Sequence, residues 1–351
     1  MGASDERDRD PVADLRRIAF LLERSLASSY RVKAFRGAAD ALLKLQPEEI
    51  RTAAAEGELR AIKGIGDRTA AVVEESLSGQ LPGYLATLEA EALVSLAVGG
   101  DQLRAALRGD CHSHSDWSDG GSPPAEMAWT AKELGHEYLV LTDHSPRLKV
   151  ANGLSAERLH RQLDVIAVIN RQLAPFRMLT GIEVDILEDG TLDQDPELLA
   201  RLDVVVASVH SKLAMPAGQM TQRMLAAIAN PNTDILGHCT GRMVKGREGR
   251  NPHGRPESEF DAAAVFAACR EHGTAVEINS RPERLDPPRR LLRQAVKAGC
   301  VFSIDTDGHA PGQLDWQIIG CARAEECEVP ADRVINTWSA DDLLAWTEKQ
   351  N

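Results

Sequence analysis

Asp110-Cys111-His112-Ser113-His114, followed by Asp119, opens a rhythm that decides the fold of the larger part of the chain. His112 and His114 are two residues apart, and side chains alternate along an extended strand, so both imidazoles lie on one face. Imidazoles held in this way are common ligands of zinc and similar divalent ions. One His-x-His pair is weak evidence, and its recurrence carries the weight. Apolar runs of strand length follow at 138–142, 178–182, 204–209, 235–237, 275–278 and 301–304, with helical stretches between them. Together with the run entering Asp110–His114 they make seven β/α units, which predicts a parallel sheet closed into a barrel.

A metal-binding or polar side chain stands at the downstream end of every run. They are Thr142-Asp143-His144, Gly181-Ile182-Glu183, Ser208-Val209-His210, Gly237-His238, Asp307-Gly308-His309, and at run six Glu277 and Asn279, a polar pair that is a candidate to support the ligands from behind. In an α/β barrel the downstream strand ends form the active-site face, so these separate loops converge on one pocket. A lone histidine after a strand is usually a satisfied polar residue. Here six of the ten histidines fall at such ends, and only His136, His160, His253 and His272 lie elsewhere. The expected ligand set is His112, His114, Asp119, His144, Glu183, His210, His238, Asp307 and His309. Nine donors exceed one tetrahedral zinc and suit two or three divalent cations (Zn, Mn or Fe) sharing a carboxylate.

Upstream, residues 11–93 read as helical, with apolar positions at Leu15, Ile18, Ala19 and Leu22 and again at Phe35, Ala38, Leu42 and Leu45. Pro47 suits a first helical turn. Residues 59–70 contain Gly64-Ile65-Gly66-Asp67-Arg68, a short helix, a Gly-x-Gly turn and a helix start, which is the helix-hairpin-helix pattern. The glycines permit a tight turn, and free N–H groups at the next helix start can hold a phosphate oxygen. That makes Gly64, Gly66 and Arg68 candidate DNA contacts; a tight helical turn that binds nothing is the alternative. Residues 94–109 read as a linker, and the charged residues 1–10 as a disordered N-terminus.

The chain has 351 residues and a net charge of −13, which argues against gripping nucleic acid over its whole surface. The excess lies outside the nearly balanced helical region, where bound cations offset it. Six cysteines without a Cys-x-x-Cys pair read as buried free thiols. No signal peptide or membrane-spanning run is read, so the expected location is cytoplasmic. Basic residues near the strand ends include Arg147, Lys149, Lys212, Arg242, Lys245, Arg247, Arg250 and Arg281. Arg242 and Lys212 are the first candidates for binding a substrate phosphate. A solvated loop is the bland reading of 240–255.

The motifs Asp110-x-His112-x-His114-Ser115-x-x-Ser118-Asp119-Gly120, Thr142-Asp143-His144 and Asp307-x-His309 resemble the polymerase-and-histidinol-phosphatase (PHP) superfamily. The run from Leu148 to Leu154, His238 with Thr240-Gly241-Arg242, and Gly312 to Trp316 resemble the PHP domain of bacterial family X DNA polymerases. Residues 11–92 resemble the N-terminal helical domain of the same polymerases. The resemblance implies a distorted seven-stranded β/α, TIM-like barrel over 110–351, preceded by a helix-hairpin-helix domain over 11–93. It also implies three metal groups. His112, His114, Glu183 and Asp307 would surround one ion, Glu183 would bridge to a second held by His210 and His238, and Asp119, His144 and His309 would hold a third. Asp110 and Asp143 are expected to orient ligand imidazoles from behind.

Two departures narrow the activity. Only the stretch 94–109 stands where these polymerases carry their catalytic core, so DNA synthesis is not expected. Val72 replaces the Schiff-base lysine of the eukaryotic lyase relatives, and valine cannot form an imine. The expected function is phosphate-ester hydrolysis by metal-activated hydroxide on DNA 3′ ends, as a 3′–5′ exonuclease or 3′-phosphatase in DNA repair. The alternatives are a small-molecule phosphatase of histidinol-phosphatase type and a non-catalytic DNA-binding protein. DNA and a phosphate ester are thus the expected partners, with no membrane involved.

Overall fold

The structure is a computed structural model that describes residues 9–246 and 253–348. Residues 1–8 of the expected N-terminal tail, together with Arg247 and Arg250, lie outside the described residues. The chain divides into two compact units, Met1–Ser95 and Leu96–Asn351. Among the described residues, no helix is long and apolar enough to cross a membrane.

Among its described residues the first unit holds five α-helices: α1 (Pro11–Arg24), α2 (Ser29–Leu42), α3 (Pro47–Ala55), α4 (Asp67–Leu77) and α5 (Gly83–Ala92). Arg9 and Asp10, assigned to the tail from sequence, belong to the start of α1. Asp10 caps it by accepting from the Val12 N–H at 2.9 Å, and Arg9 pairs with Asp14 at 2.6 Å. The predicted apolar stripe of α1 is buried against Phe35, Ala38 and Leu42 of α2, Val73 of α4, and Leu85 and Leu88 of α5. Between α3 and α4 runs a single 3-10 turn, Leu59–Ala61, and then the glycine hairpin. Gly64 has φ of +103°, and a Cβ there would stand 3.3 Å from the Gly37 carbonyl oxygen, so only glycine sits there without strain.

The second unit is the expected barrel. Its strands are β1 (Gly109–Ser113), β2 (Tyr138–Leu141), β3 (Arg177–Asp185), β4 (Val204–Ser208), β5 (Ile235–Leu236), β6 (Ala275–Asn279) and β7 (Phe302–Asp305). They are parallel and ordered as in sequence. The ring closes where the His114 N–H donates to the Gly308 carbonyl at 2.8 Å and Ser113 bridges Gly308. Alternation places Val204 and Val206 with Cys111, Tyr138, Val140 and Ile235 in one apolar cluster, and Val205 and Ala207 in another with Ile182 and Val184. All six cysteines are buried and free.

The expected linker 94–109 is mostly part of this second unit. It forms a short helix, α6 (Asp101–Ala106), with Gly100 left-handed at its N-cap and its N–H donating to Glu325. Leu107 is buried, and the Arg108 N–H bonds the Asn336 carbonyl at 2.7 Å, delivering the chain into β1.

Burial without a full set of partners leaves one titratable group exploitable for a test. Asp234, entering β5, accepts from the Val205 N–H at 2.7 Å through one oxygen, while the other has no partner. Burial pushes its carboxyl up to about 8. A folded-state value above the unfolded one means that its contribution is present below the unfolded value and lost as pH rises toward 8. Asp234→Asn keeps an acceptor for Val205 and cannot ionise. Thermal unfolding should show the variant gaining on the parent between pH 5 and pH 8, by at least about 1 kcal/mol, since each tenfold change in a proton equilibrium is worth roughly 1.4 kcal/mol. A difference that stays flat with pH would contradict this.

Candidate metal centre

Glu183 is the hub of the downstream barrel face. One carboxylate oxygen lies 2.8 Å from His238 Nε2 and 3.1 Å from His210 Nε2. The other lies 2.9 Å from His144 Nδ1, 3.4 Å from His112 Nε2 and 3.5 Å from His114 Nε2. Five imidazoles, from four different strand ends, thus point at one carboxylate. Asp307 Oδ1 stands 3.4 Å from His114 Nε2, and Asp119 Oδ1 stands 3.4 Å from His144 Nε2 and 3.3 Å from His309 Nε2. The structure brings all nine sequence-derived residues into this one cluster.

Local backbone features aim these groups. The register of β1 against β2 slips between Asp110 and Ser113, an irregularity that re-aims the residues beyond it. His112 and His114 still converge, with Nε2 atoms 3.2 Å apart. Asp307 has φ of +50°, a left-handed conformation uncommon for a side chain other than glycine, asparagine or aspartate at a turn. Such backbone is held in place by its surroundings, here the ion pairs to its carboxylate. Gly237, just before His238, packs where a Cβ would lie 2.3 Å from Ser208 Oγ.

Among the described residues, donor atoms gather in three groups: His114, Asp119, His144 and His309; His112, His114 and Asp307; and His144, Glu183 and His210. Three groups were expected, with a different division. His114 and His144 each serve two of them, and His238 is joined through Glu183. The donor chemistry fits divalent cations. Buried polar atoms that make no well-directed hydrogen bond, even where Glu183 is close, include His114 Nδ1, His144 Nδ1, Glu183 Oε2, both ring nitrogens of His210 and His238 Nδ1. Unpartnered buried atoms are costly, and cations accept lone pairs from such donors.

Electrostatics agree. Burial, with His309 and His144 beside it, pushes His114 down to about 3, and burial with Arg284 takes His238 to about 4. Both rings are lone-pair donors at neutral pH. Burial opposes charge on His144, yet Glu183 and Asp119 raise it to about 10. Asp307 is held well below the usual carboxylate range: burial opposes this, and Arg284, His114 and Arg281 outweigh it.

Other assignments fare differently. Asp110 touches no ligand imidazole; it accepts from the His112 N–H at 3.1 Å and from Thr306 Oγ1 at 2.5 Å, fixing backbone on β1 and after β7. Asp143 likewise takes the Ser115 N–H at 2.8 Å and Gln162 Nε2 at 2.6 Å, tying the Asp119 loop to the helix Ala156–Leu173. Arg242 is not poised for phosphate. Its guanidinium donates to the Arg284 carbonyl at 3.1 Å and to the Leu285 carbonyl, and it pairs with Glu257 at 3.5 Å. The cation beside the cluster is Arg284, whose Nε lies 2.9 Å from Asp307 Oδ2 and whose Nη1 is buried without a partner. Arg281, at 3.6 Å from Asp307 Oδ1, joins it. Sequence reading missed Arg284 because it stands five residues past the end of β6, and only the fold of that loop turns it inward. Lys212 is exposed after His210, with φ of +54°.

In the first unit Gly66 is the N-cap of α4, its N–H donating to Thr69 Oγ1 at 2.9 Å. Arg68 is exposed, with its guanidinium 5.1 Å from the Tyr84 ring centroid. Val72 is in the core of that unit.

Residues 110–281 match the PHP domain family and residues 8–80 the helix-hairpin-helix domain family. The chain is a PHP-domain protein with an N-terminal helix-hairpin-helix domain. Among its relatives, the DNA polymerase/3′-5′ exonuclease PolX of Bacillus subtilis (strain 168) is 38% identical over 245 residues, which are 70% of this chain and 42% of that protein. The chain therefore spans less than half the length of that relative. A probable phosphatase of Caldanaerobacter subterraneus subsp. tengcongensis is 26% identical over 268 residues, covering 72% of this chain and 94% of that one. A solved structure of histidinol phosphate phosphatase from Lactococcus lactis subsp. lactis Il1403, complexed with zinc, L-histidinol and phosphate, aligns with a TM-score of 0.43 at 18% identity, over 63% of this chain and 93% of that one.

Proposed function

We propose that this protein is a metal-dependent phosphoesterase that hydrolyses phosphate esters at DNA 3′ ends, as a 3′–5′ exonuclease or 3′-phosphatase. The observation that carries the hydrolytic reading is the convergence on Glu183 of five imidazoles, several with buried nitrogens that lack partners. His112, His114 and Asp307 would hold one cation, His144, Glu183 and His210 another, and His114, Asp119, His144 and His309 a third. Zinc, manganese or iron suits this donor set. Bound there, such ions supply a water that ionises near neutral pH and offset negative charge on the phosphoryl oxygens.

The protein's own groups do the rest. Arg284 and Arg281 place two guanidiniums beside Asp307, where planar donors suit phosphoryl oxygens. Asp119 and His309 are the more exposed members of the cluster, so substrate enters on their side. The DNA reading is supported by the helix-hairpin-helix domain in the same chain and by the similarity to a polymerase/exonuclease. Polymerase activity is not expected, because only residues 81–109 separate the two domain matches.

A small-molecule phosphatase is the second reading, favoured by the near-complete coverage of a probable phosphatase and by the acidic net charge. Removing the first unit separates the two. The second unit has its own apolar core, so 96–351 should fold. With Mn²⁺ and 3′-labelled single-stranded or gapped DNA, the DNA reading predicts at least about a tenfold loss of kcat/KM on truncation, with p-nitrophenyl phosphate turnover within about twofold. Robust small-phosphate turnover by the full chain, with no DNA product under any metal, would leave the second reading standing.

A further inference from the structure

Glu277 lies on β6 outside the nine-residue ligand set, and it is fully buried. Its Oε1 is 2.6 Å from His112 Nδ1. Its Oε2 accepts from the His238 backbone N–H and from Asn279 Nδ2 at 3.3 Å. The opposite nitrogen of His112, Nε2, faces the cluster, 3.2 Å from His114 Nε2 and 3.4 Å from Glu183 Oε2. A carboxylate accepts only, so Nδ1 carries a proton, and Nε2 is the nitrogen left to offer a lone pair to a bound cation.

The other five imidazoles lack such a partner. His309 Nδ1 is 2.8 Å from a backbone carbonyl, and His210 Nδ1 is 3.5 Å from Asp185 Oδ1 without a hydrogen bond. His114 Nδ1 and His238 Nδ1 have no hydrogen-bond partner, and His144 turns both nitrogens to the cluster, Nδ1 2.9 Å from Glu183 Oε2 and Nε2 3.4 Å from Asp119 Oδ1. Among the described residues, His112 is thus the one cluster histidine whose nitrogen facing away from the cluster is hydrogen-bonded to a carboxylate.

We propose that Glu277 is the positioning residue of the buried end of the centre. It fixes the tautomer and ring plane of His112, and through the His238 N–H it holds the end of β5 in register with β1. The inference rests on the metal-centre reading above. A carboxylate behind a ligand imidazole strengthens the ring as a donor, and its loss typically weakens metal binding by about 10–100-fold.

Glu277→Gln makes the claim sharp because both Glu277 oxygens accept. A glutamine offers one acceptor and one donor. If its oxygen stays with His112, its NH₂ meets the His238 N–H, donor against donor. Turned round, the NH₂ forces His112 Nδ1 to accept, and the ring proton moves to Nε2, where it blocks ligation.

The experiment loads full-length parent, Glu277→Gln and Glu277→Asp with Mn²⁺ or Zn²⁺ and titrates each with chelator, counting retained metal by elemental analysis. Thermal unfolding is followed with and without metal. Glu277→Gln should unfold in chelator within a few degrees of the parent, yet release metal at about 10–100-fold lower chelator activity. Glu277→Asp, which keeps the charge and shortens the reach, should fall between. A folded Glu277→Gln with parental metal retention overturns the proposal. So does an equal loss of thermal stability with and without metal, the mark of a purely structural role. Should Glu277→Gln fail to fold, parental retention by Glu277→Asp overturns it instead. A parent that retains no metal removes the metal-centre reading itself, a result distinct from all of these.

Discussion

Glu183→Ala is expected to lower kcat/KM for phosphate-ester hydrolysis by at least about a thousandfold and to empty the centre of most of its metal, because several kcal/mol of charge stabilisation are lost and each 1.36 kcal/mol is tenfold. Both carboxylate oxygens face ring nitrogens, 2.8 Å to His238 and 2.9 Å to His144 among them. Among the described residues, no other side chain touches five of the six cluster imidazoles. Its removal also takes away the anion that raises His144 and His210 against the effect of burial, so those rings lose the charge that gathers them. Glu183→Gln separates charge from shape: the amide keeps the volume, so its deficit reports the missing negative charge. Steady-state kinetics with metal counted on the same samples test this. An alanine variant that retains parental metal and more than about a tenth of parental activity would refute the hub assignment.

The barrel was legible because burial and ligation write themselves on alternate ends of the same runs. Apolar residues such as Val204 to Val206 mark a strand buried on both faces, and the polar residue that ends each run stands where the sheet meets solvent. That local pattern needs no knowledge of partners. The errors fall where partners decide. Arg242 and Arg284 are both arginines in loops after strands, and nothing in spacing says which guanidinium turns to backbone carbonyls and which to Asp307. Glu277 stands out in sequence as a polar candidate to support the ligands from behind, but which ligand it meets is not legible there, because His112 is 165 positions away. Asp110 and Asp143 adjoin the ligand motifs and so invite the role that Glu277 fills in space. The stretch 94–109 reads as a linker because Gly99-Gly100 suggests flexibility. In the structure Gly100 takes the left-handed cap of α6, a use of glycine that composition cannot distinguish from a hinge.

Stripping the protein with chelator is expected to abolish hydrolysis and lower the melting temperature, both recovering when Mn²⁺ or Zn²⁺ is restored. The pocket concentrates the carboxylates of Glu183, Asp307 and Glu277 in a buried space where Arg281 and Arg284 supply the fixed positive charge. Without cations, the remaining compensation comes from protons on imidazoles. Burial disfavours that charge on His144, yet Glu183 and Asp119 raise the ring to about 10, so it is protonated in metal-free protein at neutral pH. A metal must displace that proton to use the ring, and binding therefore releases protons. The sign follows: below about pH 10, metal affinity weakens as pH falls, by about tenfold per pH unit for each proton displaced. Each ion present at a hundred times its dissociation constant adds about 2.7 kcal/mol to folding stability, so the metal-dependent gain in melting temperature should shrink steadily from pH 8 to pH 6. Calorimetric unfolding of metal-free and metal-loaded protein at three pH values measures this directly. Equal melting temperatures with and without metal, alongside activity that survives chelation, would mean that these nine side chains hold one another rather than cations.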